Sequence, residues 1–300
     1  MYKKVFVTGG SGFVGRNLKK YKPSWHYMSS VDCDLTDYRK VEKYFSTHHP
    51  DAIVHLAGRV GGIKENSENQ ADFYHKNVLI NANVLRAAHV CKIDRVLSSL
   101  STCAFPNKVE KYPFTEDDIY LGPPAPTNFS YGMAKRMLHV GSVSYRKQYD
   151  RNFSTFCPSN VYGPGDYFGE ESSHFVASLI NKIHNTKKHG IIELWGTGKP
   201  LRQQLYVTDL CRLIPILLSE HNSEVPLIVA PDENLSIFQM ADISRKQLNK
   251  QVEFVFNGNL EGQFRKDGSN ASLKDLVCNM RFTKFSEGIE KTYQWFLENK

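Results

Sequence analysis

Short apolar runs alternate with longer amphipathic stretches through the first half of this chain. The runs are KKVFVTGG, WHYMSS, AIVHLAG and RVLSSLS. Between them lie a predicted helix from Gly12 to about Lys20, another around DYRKVEKYFSTH and a third around ADFYHKNVLINANVLRAAHVC. Strands bounded by Gly or Ser and joined by amphipathic helices predict right-handed βαβ crossovers and a parallel sheet. The expected fold class is α/β, a doubly wound parallel sheet. After about residue 165 the pattern loosens into Gly, Ser, Asn and charged loops with isolated strands such as IIELWG and PLIVA. The second half therefore reads as a smaller α/β domain interleaved with late elements of the first. Residues 1–165 plus about 205–232 form the main domain, and about 166–204 with 233–300 form the smaller one.

Composition narrows the function classes. With 300 residues, 41% hydrophobic and 23% charged, the chain carries enough apolar material for a substantial core. No apolar run approaches the roughly 18 residues of a membrane span. MYKKVFVTGG enters a strand instead of a signal-peptide hydrophobic region, which predicts a cytoplasmic protein with no membrane partner. Cys33, Cys91, Cys103, Cys157, Cys211 and Cys278 form no CxxC pair and no zinc spacing, so free thiols are expected, without a disulfide framework or structural metal. The net charge of +7 is spread without a basic run, which argues against nucleic acid and for a small anionic ligand such as a nucleotide.

VFVTGGSGFVG points to that nucleotide. It sets Gly9, Gly12 and Gly15 between the first strand and the first helix, with Gly10, Ser11, Phe13 and Val14 completing the turn. One glycine makes the tight turn, one lets the backbone approach a diphosphate, and one lets helix and strand pack closely, as in a Rossmann dinucleotide site. The helix amino terminus offers N–H groups to the phosphates. At the end of the second strand, Ser29 and Ser30 with Arg16 on the facing helix suit a 2′-phosphate and favour NADPH/NADP, while Asp32 leaves NAD open. Asp34 and Leu35 stand where an adenine would lie, with Asp34 equally suited to cap a helix.

YGMAK places Tyr131 and Lys135 at i and i+4, on one helix face. A tyrosine titrating at about 10 is a poor acid–base catalyst at neutral pH, and the Lys135 ammonium is expected to lower that value and to orient a nicotinamide ribose.

TGGSGFVG, HLAG, Ser101 and YGMAK, in that order, resemble the extended short-chain dehydrogenase/reductase family across nearly the whole chain. VGGI at 60–63, STCAFP, PSNVYGPGDYF, WGTGKPLRQQLYVTDL and TYQWFLEN narrow the likeness to its epimerase-reductases, whose substrate is GDP-4-keto-6-deoxy-D-mannose. The resemblance implies NADPH-dependent chemistry in which carbons three and five are epimerised before the 4-ketone is reduced. Ser101 and Cys103, read as an extended i, i+2 pair, would both face the crevice at the carboxyl end of the sheet. Ser101 would bond the keto oxygen, Cys103 would remove the protons, His174 would return them, and Tyr131 would protonate the oxygen on reduction. Because a free thiol titrates at about 8.5, Cys103 needs Lys135 or the oxidised cofactor nearby.

The same resemblance implies that Leu56, Ala57, Pro158, Ser159, Asn160, Val161 and His174 line the cofactor, and that Lys182, Trp195, Arg202 and Glu261 hold the GDP end. It also implies a homodimer through helices at about 72–91 and 130–149, packed as a four-helix bundle. Val78, Leu85 and Ala88 on the first of these equally fit packing against the sheet. Gly165, Tyr167, Gln203 and Gln204 depart from the family pattern and bear on sugar and guanine contacts. The alternatives are another nucleotide-sugar 4-reductase or 4-epimerase, or a non-enzymatic NADP-binding scaffold; neither a 4-reductase nor a 4-epimerase needs a base beside the ketone, and a pure binder needs neither Tyr131 nor Cys103.

Overall fold

The fold is seen in a computed structural model that describes residues 2–169, 173–259 and 262–299. Five early strands, β1 (Val5–Thr8), β2 (His26–Met28), β3 (Ala52–His55), β4 (Arg95–Ser99) and β5 (Asn152–Pro158), join Leu227–Val229 in a six-stranded sheet. All pairings are parallel, and the order from one edge is Leu227–Val229, β5, β4, β3, β1, β2. β1 and β3 are buried at every position, because helices cover both faces, and so their first three residues are apolar instead of alternating, with the polar Thr8 and His55 at their ends paired to each other.

Helices α1 (Phe13–Tyr21), α2 (Tyr38–His48), α3 (Ile63–Glu68), α4 (Gln70–Val90) and α5 (Phe129–Tyr149) follow the strands in turn. Phe6, Ile53, Val96 and Phe153 meet α2, α4 and α5 through Val41, Phe45, Val84, Ala88 and Leu138 on one face. Val5, Val7, Val54, Leu97 and Phe156 meet Leu18 of α1 and Leu210 and Leu213 of the later helix Val207–Glu220 on the other. Leu85 and Ala88 belong to the first of these cores, so they serve sheet packing; Val78 is half-buried.

Arg95 locks β4 to the end of helix Val207–Glu220. Its buried guanidinium donates to the carbonyls of Leu218 at 2.8 Å, Leu217 at 2.8 Å and His221 at 3.1 Å, and to Ser154 Oγ at 2.6 Å. A cation here adds donors to carbonyls of the last turn and just beyond it and meets the negative end of the helix dipole.

A third core gathers Tyr162, Val176, Ile180, Ile192, Tyr206, Met240, Phe285 and Ile289. Around it three two-stranded pairings form: Asn160–Tyr162 with Gln204–Tyr206, Ile191–Leu194 with Glu253–Phe256, and Leu201–Arg202 with Leu235–Ser236. Leu273, Leu276, Val277, Met280 and Phe282 fall in the expected smaller domain by sequence, yet they pack with the second face of the sheet. Among the described residues no helix is long and apolar enough to cross a membrane.

Candidate active site

The sheet order reverses at β1: the chain leaves it for β2 on one side and returns to β3 on the other. Open α/β sheets bind ligands outside the carboxyl ends of the strands at such a reversal. Here a cavity of about 900 Å³ opens from the glycine turn past Ser101 and Tyr131 to Trp195 and Arg202.

The turn is built for close approach. Gly9 has φ +72, and a Cβ there would stand 2.9 Å from the Ala57 amide nitrogen, so only glycine fits between the ends of β1 and β3. A Cβ on Gly15 would stand 2.3 Å from the Gly9 carbonyl oxygen, which seats α1 against the turn. Gly12 caps α1 without a side-chain bond, leaving the first-turn N–H groups for an anion. His55, fully buried and pulled down to about 3 by that burial, donates from Nε2 to Asn81 Oδ1 at 3.1 Å and accepts at Nδ1 from Thr8 Oγ1 at 2.7 Å, tying β1, β3 and α4 together behind the turn.

The expected cofactor residues divide by position. Gly9, Ser11, Gly12, Phe13, Val14, Gly15, Ser29, Ser30, Asp34, Leu35, Leu56, Ala57, Pro158, Ser159, Asn160 and Val161 all line the cavity. Ser159 Oγ is buried there without a protein partner, as an atom awaiting a ligand would be. Gly10 does not line it: its N–H bonds Met28 O at 2.7 Å and a Cβ would strike Tyr27. Arg16 does not either, because its guanidinium is engaged with the Ser11 carbonyl and, at 2.7 Å, with Gly165 O. Asp32 also turns away, accepting from Ser29 N at 2.8 Å and Ser29 Oγ at 2.7 Å. Asp34 accepts from Thr36 N at 3.0 Å and Oγ1 at 2.7 Å, a turn capping itself beside the cavity. Neither Asp32 nor Arg16 lines the cavity, so the cation expected beside a 2′-phosphate is engaged elsewhere and Ser29 and Ser30 line that end.

Ser101, Cys103, Tyr131, Lys135 and His174 line the same cavity. The route differs from an extended pair. β4 ends at Ser99, and Thr102–Ala104 form a turn of 3-10 helix whose first N–H groups Ser101 caps, accepting from Cys103 N at 3.2 Å. The capped turn places Cys103 beside the serine; an extended i, i+2 pair does not occur. Ser101 also lines the cavity with Tyr131 and partly offsets the upward shift of its phenol.

Burial pushes the Tyr131 phenol well up, and Lys135 is not what offsets it: Ser101 does so in part. Lys135 Nζ lies 6.0 Å from the Tyr131 ring centre and donates to Ser99 O at 2.8 Å, while burial pulls the amine down to about 8. Lys135 is thus not what acts on the Tyr131 phenol here, whereas the amine and the Cys103 sulfur attract one another through space. Cys103 receives Lys266 Nζ at 2.8 Å and Asn128 Nδ2 at 2.9 Å. Burial pushes the thiol up, yet Lys266, with smaller help from Ser101 and Arg202, more than offsets it and the net shift is downward.

His174 precedes helix Phe175–Asn185, and its Nδ1 lies 3.2 Å and 3.3 Å from the two carboxylate oxygens of buried Asp166. That bond raises the imidazole above its usual range, outweighing its partial desolvation. Lys182, Trp195 and Arg202 reach the outer cavity, with Lys182 Nζ donating to Glu193 O at 2.9 Å. Glu261 lies outside the described residues.

Three of the four departures lie off the cavity. Gly165, at φ +83, and exposed Tyr167 do not line the cavity. Gln203 is buried outside it and braces Gly268 and Pro231, whereas Gln204 lines it. Three functional residues escaped the sequence reading: Lys266, Asn128 and Asp166. Asp166 lies inside GPGDYF, next to a glycine turn; Lys266 sits in a loop and Asn128 in a single 3-10 turn before α5, neither with a periodic signal.

A dinucleotide turn, a Ser–Tyr–Lys group and an outer basic and aromatic end in one crevice define the short-chain epimerase/dehydratase class. The sequence profile of the NAD dependent epimerase/dehydratase family matches residues 5–229. Over 99% of this chain and 96% of the relative, it is 35% identical to GDP-L-fucose synthase of Dictyostelium discoideum. Over 99% and 98%, it is 36% identical to a probable GDP-L-fucose synthase of Drosophila melanogaster. Its fold superimposes on an NADP-bound GDP-L-fucose synthetase of Naegleria fowleri with TM-score 0.89 and 32% identity, covering 99% of this chain and 93% of that one. The chain belongs to this family and, within it, to the GDP-L-fucose synthases.

Proposed function

We propose that the protein converts GDP-4-keto-6-deoxy-D-mannose to GDP-L-fucose with NADPH, epimerising carbons three and five before reducing the 4-ketone. The observation that carries this reading is Cys103: a thiol beside Ser101 and Tyr131 in the dinucleotide crevice, with a cation and an amide on its sulfur. A plain 4-reductase or 4-epimerase has no need of a base next to the ketone.

In each epimerisation Cys103 Sγ takes the proton from the carbon beside the ketone, and the C–H electron pair moves onto the keto oxygen as an enolate. Ser101 and Tyr131, which line the same crevice, receive that oxygen as donors. His174, held by Asp166, returns a proton from the other face of the ring. Ser159 to Val161 and the Gly9–Gly15 turn would hold NADPH, which would supply the hydride for carbon four. Tyr131 gives its phenol proton to the same oxygen in that step, so one donor pair serves both reactions. Lys182, Trp195 and Arg202 suit the GDP end: cations for a diphosphate and an indole for packing, joined in this reading by Glu261.

Three further assignments go with it. The nucleotide half is residues 1–165 with about 205–232, to which the packing of Leu273 to Phe282 on the sheet adds a late segment. The six unpaired cysteines suit a reducing, cytoplasmic compartment. A homodimer through α4 and α5 is supported by exposed Tyr74 and Val90 on one and Met137 and Tyr149 on the other.

The test is turnover of GDP-4-keto-6-deoxy-D-mannose with NADPH, the product resolved by NMR. GDP-L-fucose supports the reading; a GDP-6-deoxyhexose of unchanged configuration at carbons three and five, or no product, overturns it.

A further inference from the structure

We propose that Lys266 is the positioning residue that holds Cys103 as a thiolate aimed into the crevice. This inference rests on Cys103 being the base.

Two donors converge on the sulfur, Lys266 Nζ at 2.8 Å and Asn128 Nδ2 at 2.9 Å, and of these only Lys266 carries charge. The other ionisable groups acting on Cys103 or acted on by it are Arg202, Lys135, Tyr131 and Cys157. Lys135 donates to Ser99 O and pulls on the sulfur only through space, Tyr131 and Cys157 are neutral acids pushed up by burial, and Arg202 acts more weakly than Lys266. A buried thiol without a cation reverts to the inert, protonated form.

The segment that carries Lys266 is fixed on both sides. On one, Leu201 N bonds Phe264 O at 2.9 Å and Arg265 grips Asp267 through two bonds of 2.9 and 2.6 Å. On the other, Phe114 N bonds Asp267 O at 2.9 Å, Ser269 N bonds Phe114 O at 2.7 Å, and the Gln203 amide spans Gly268 with bonds of 2.9 and 3.1 Å. A lysine has a flexible stem, and such bracing is what lets it hold one position at a sulfur. When Cys103 takes the substrate proton, an S–H bond forms, the negative charge passes to the enolate oxygen, and Lys266 keeps its own protons throughout.

The experiment is the pH dependence of Cys103 alkylation by iodoacetamide, read at that residue by mass spectrometry, in the wild type, Lys266→Met and Lys266→Arg. Lys266→Met is expected to raise the alkylation midpoint by about one pH unit or more, and Lys266→Arg to restore most of the difference. Lys266→Gln replaces Met if that variant does not fold. An unchanged midpoint in the uncharged variant overturns the assignment. Solvent deuterium uptake by the substrate is followed alongside in Cys103→Ser. A Lys266-dependent midpoint with full uptake in Cys103→Ser would uphold the ion pair and overturn the base reading, so the two failures are distinct.

Discussion

Asp166 is buried while its partner His174 faces the cavity, with Nδ1 at 3.2 and 3.3 Å from its two carboxylate oxygens. The imidazole therefore keeps its proton to higher pH than an isolated histidine, which suits a group that must deliver one. In Asp166→Asn the raised value falls. The alkaline limb of the epimerisation profile is expected to move to lower pH, while the limb set by other groups stays. The sign for stability follows: the pair stabilises fully below the unfolded histidine value, and that contribution is lost as pH rises through the raised folded value. Rate profiles and denaturation midpoints at several pH values check both; an unmoved alkaline limb contradicts the role of Asp166.

Tyr131 is buried, with its phenol well above the ordinary range, and at neutral pH it is a proton donor. Tyr131→Phe is expected to lower ketone reduction by about 10² to 10⁴, leaving NADPH affinity within a few-fold. Single-turnover reduction and cofactor titration separate the two quantities. Reduction at the wild-type rate would remove Tyr131 from the chemistry.

Arg95 is expected to matter for stability alone. Arg95→Met removes donors from three carbonyls at the end of helix Val207–Glu220 and from Ser154, and a loss of about 3 kcal/mol is expected for such a buried, multiply bonded cation. Denaturant unfolding measures it. A change under about 0.5 kcal/mol, the range of ordinary surface substitutions, contradicts the structural role.

Much of the fold was legible because parallel strands buried on both faces must be continuously apolar and the helices between them amphipathic. The glycine turn was legible for a similar reason: at Gly9 and Gly15 no other residue fits, so geometry is written into composition. Other features hid. The route from β4 to Cys103 was misread because Ser101-Thr102-Cys103 has no periodicity long enough to separate an extended segment from a capped 3-10 turn. Lys135 was expected to act on Tyr131 from helical spacing alone, but spacing fixes a face and not a rotamer, and the amine took the Ser99 carbonyl. Lys266 meets Cys103 across 163 residues of sequence, through backbone and Gln203 contacts that no local pattern encodes.

The most direct test of the account is the reaction run in deuterated water with the wild type and Cys103→Ser side by side. The account predicts GDP-L-fucose carrying solvent deuterium at carbons three and five from the wild type. From Cys103→Ser it predicts reduction without label, giving the sugar of unchanged configuration. Unlabelled product from the wild type, or full labelling without Cys103, would contradict it.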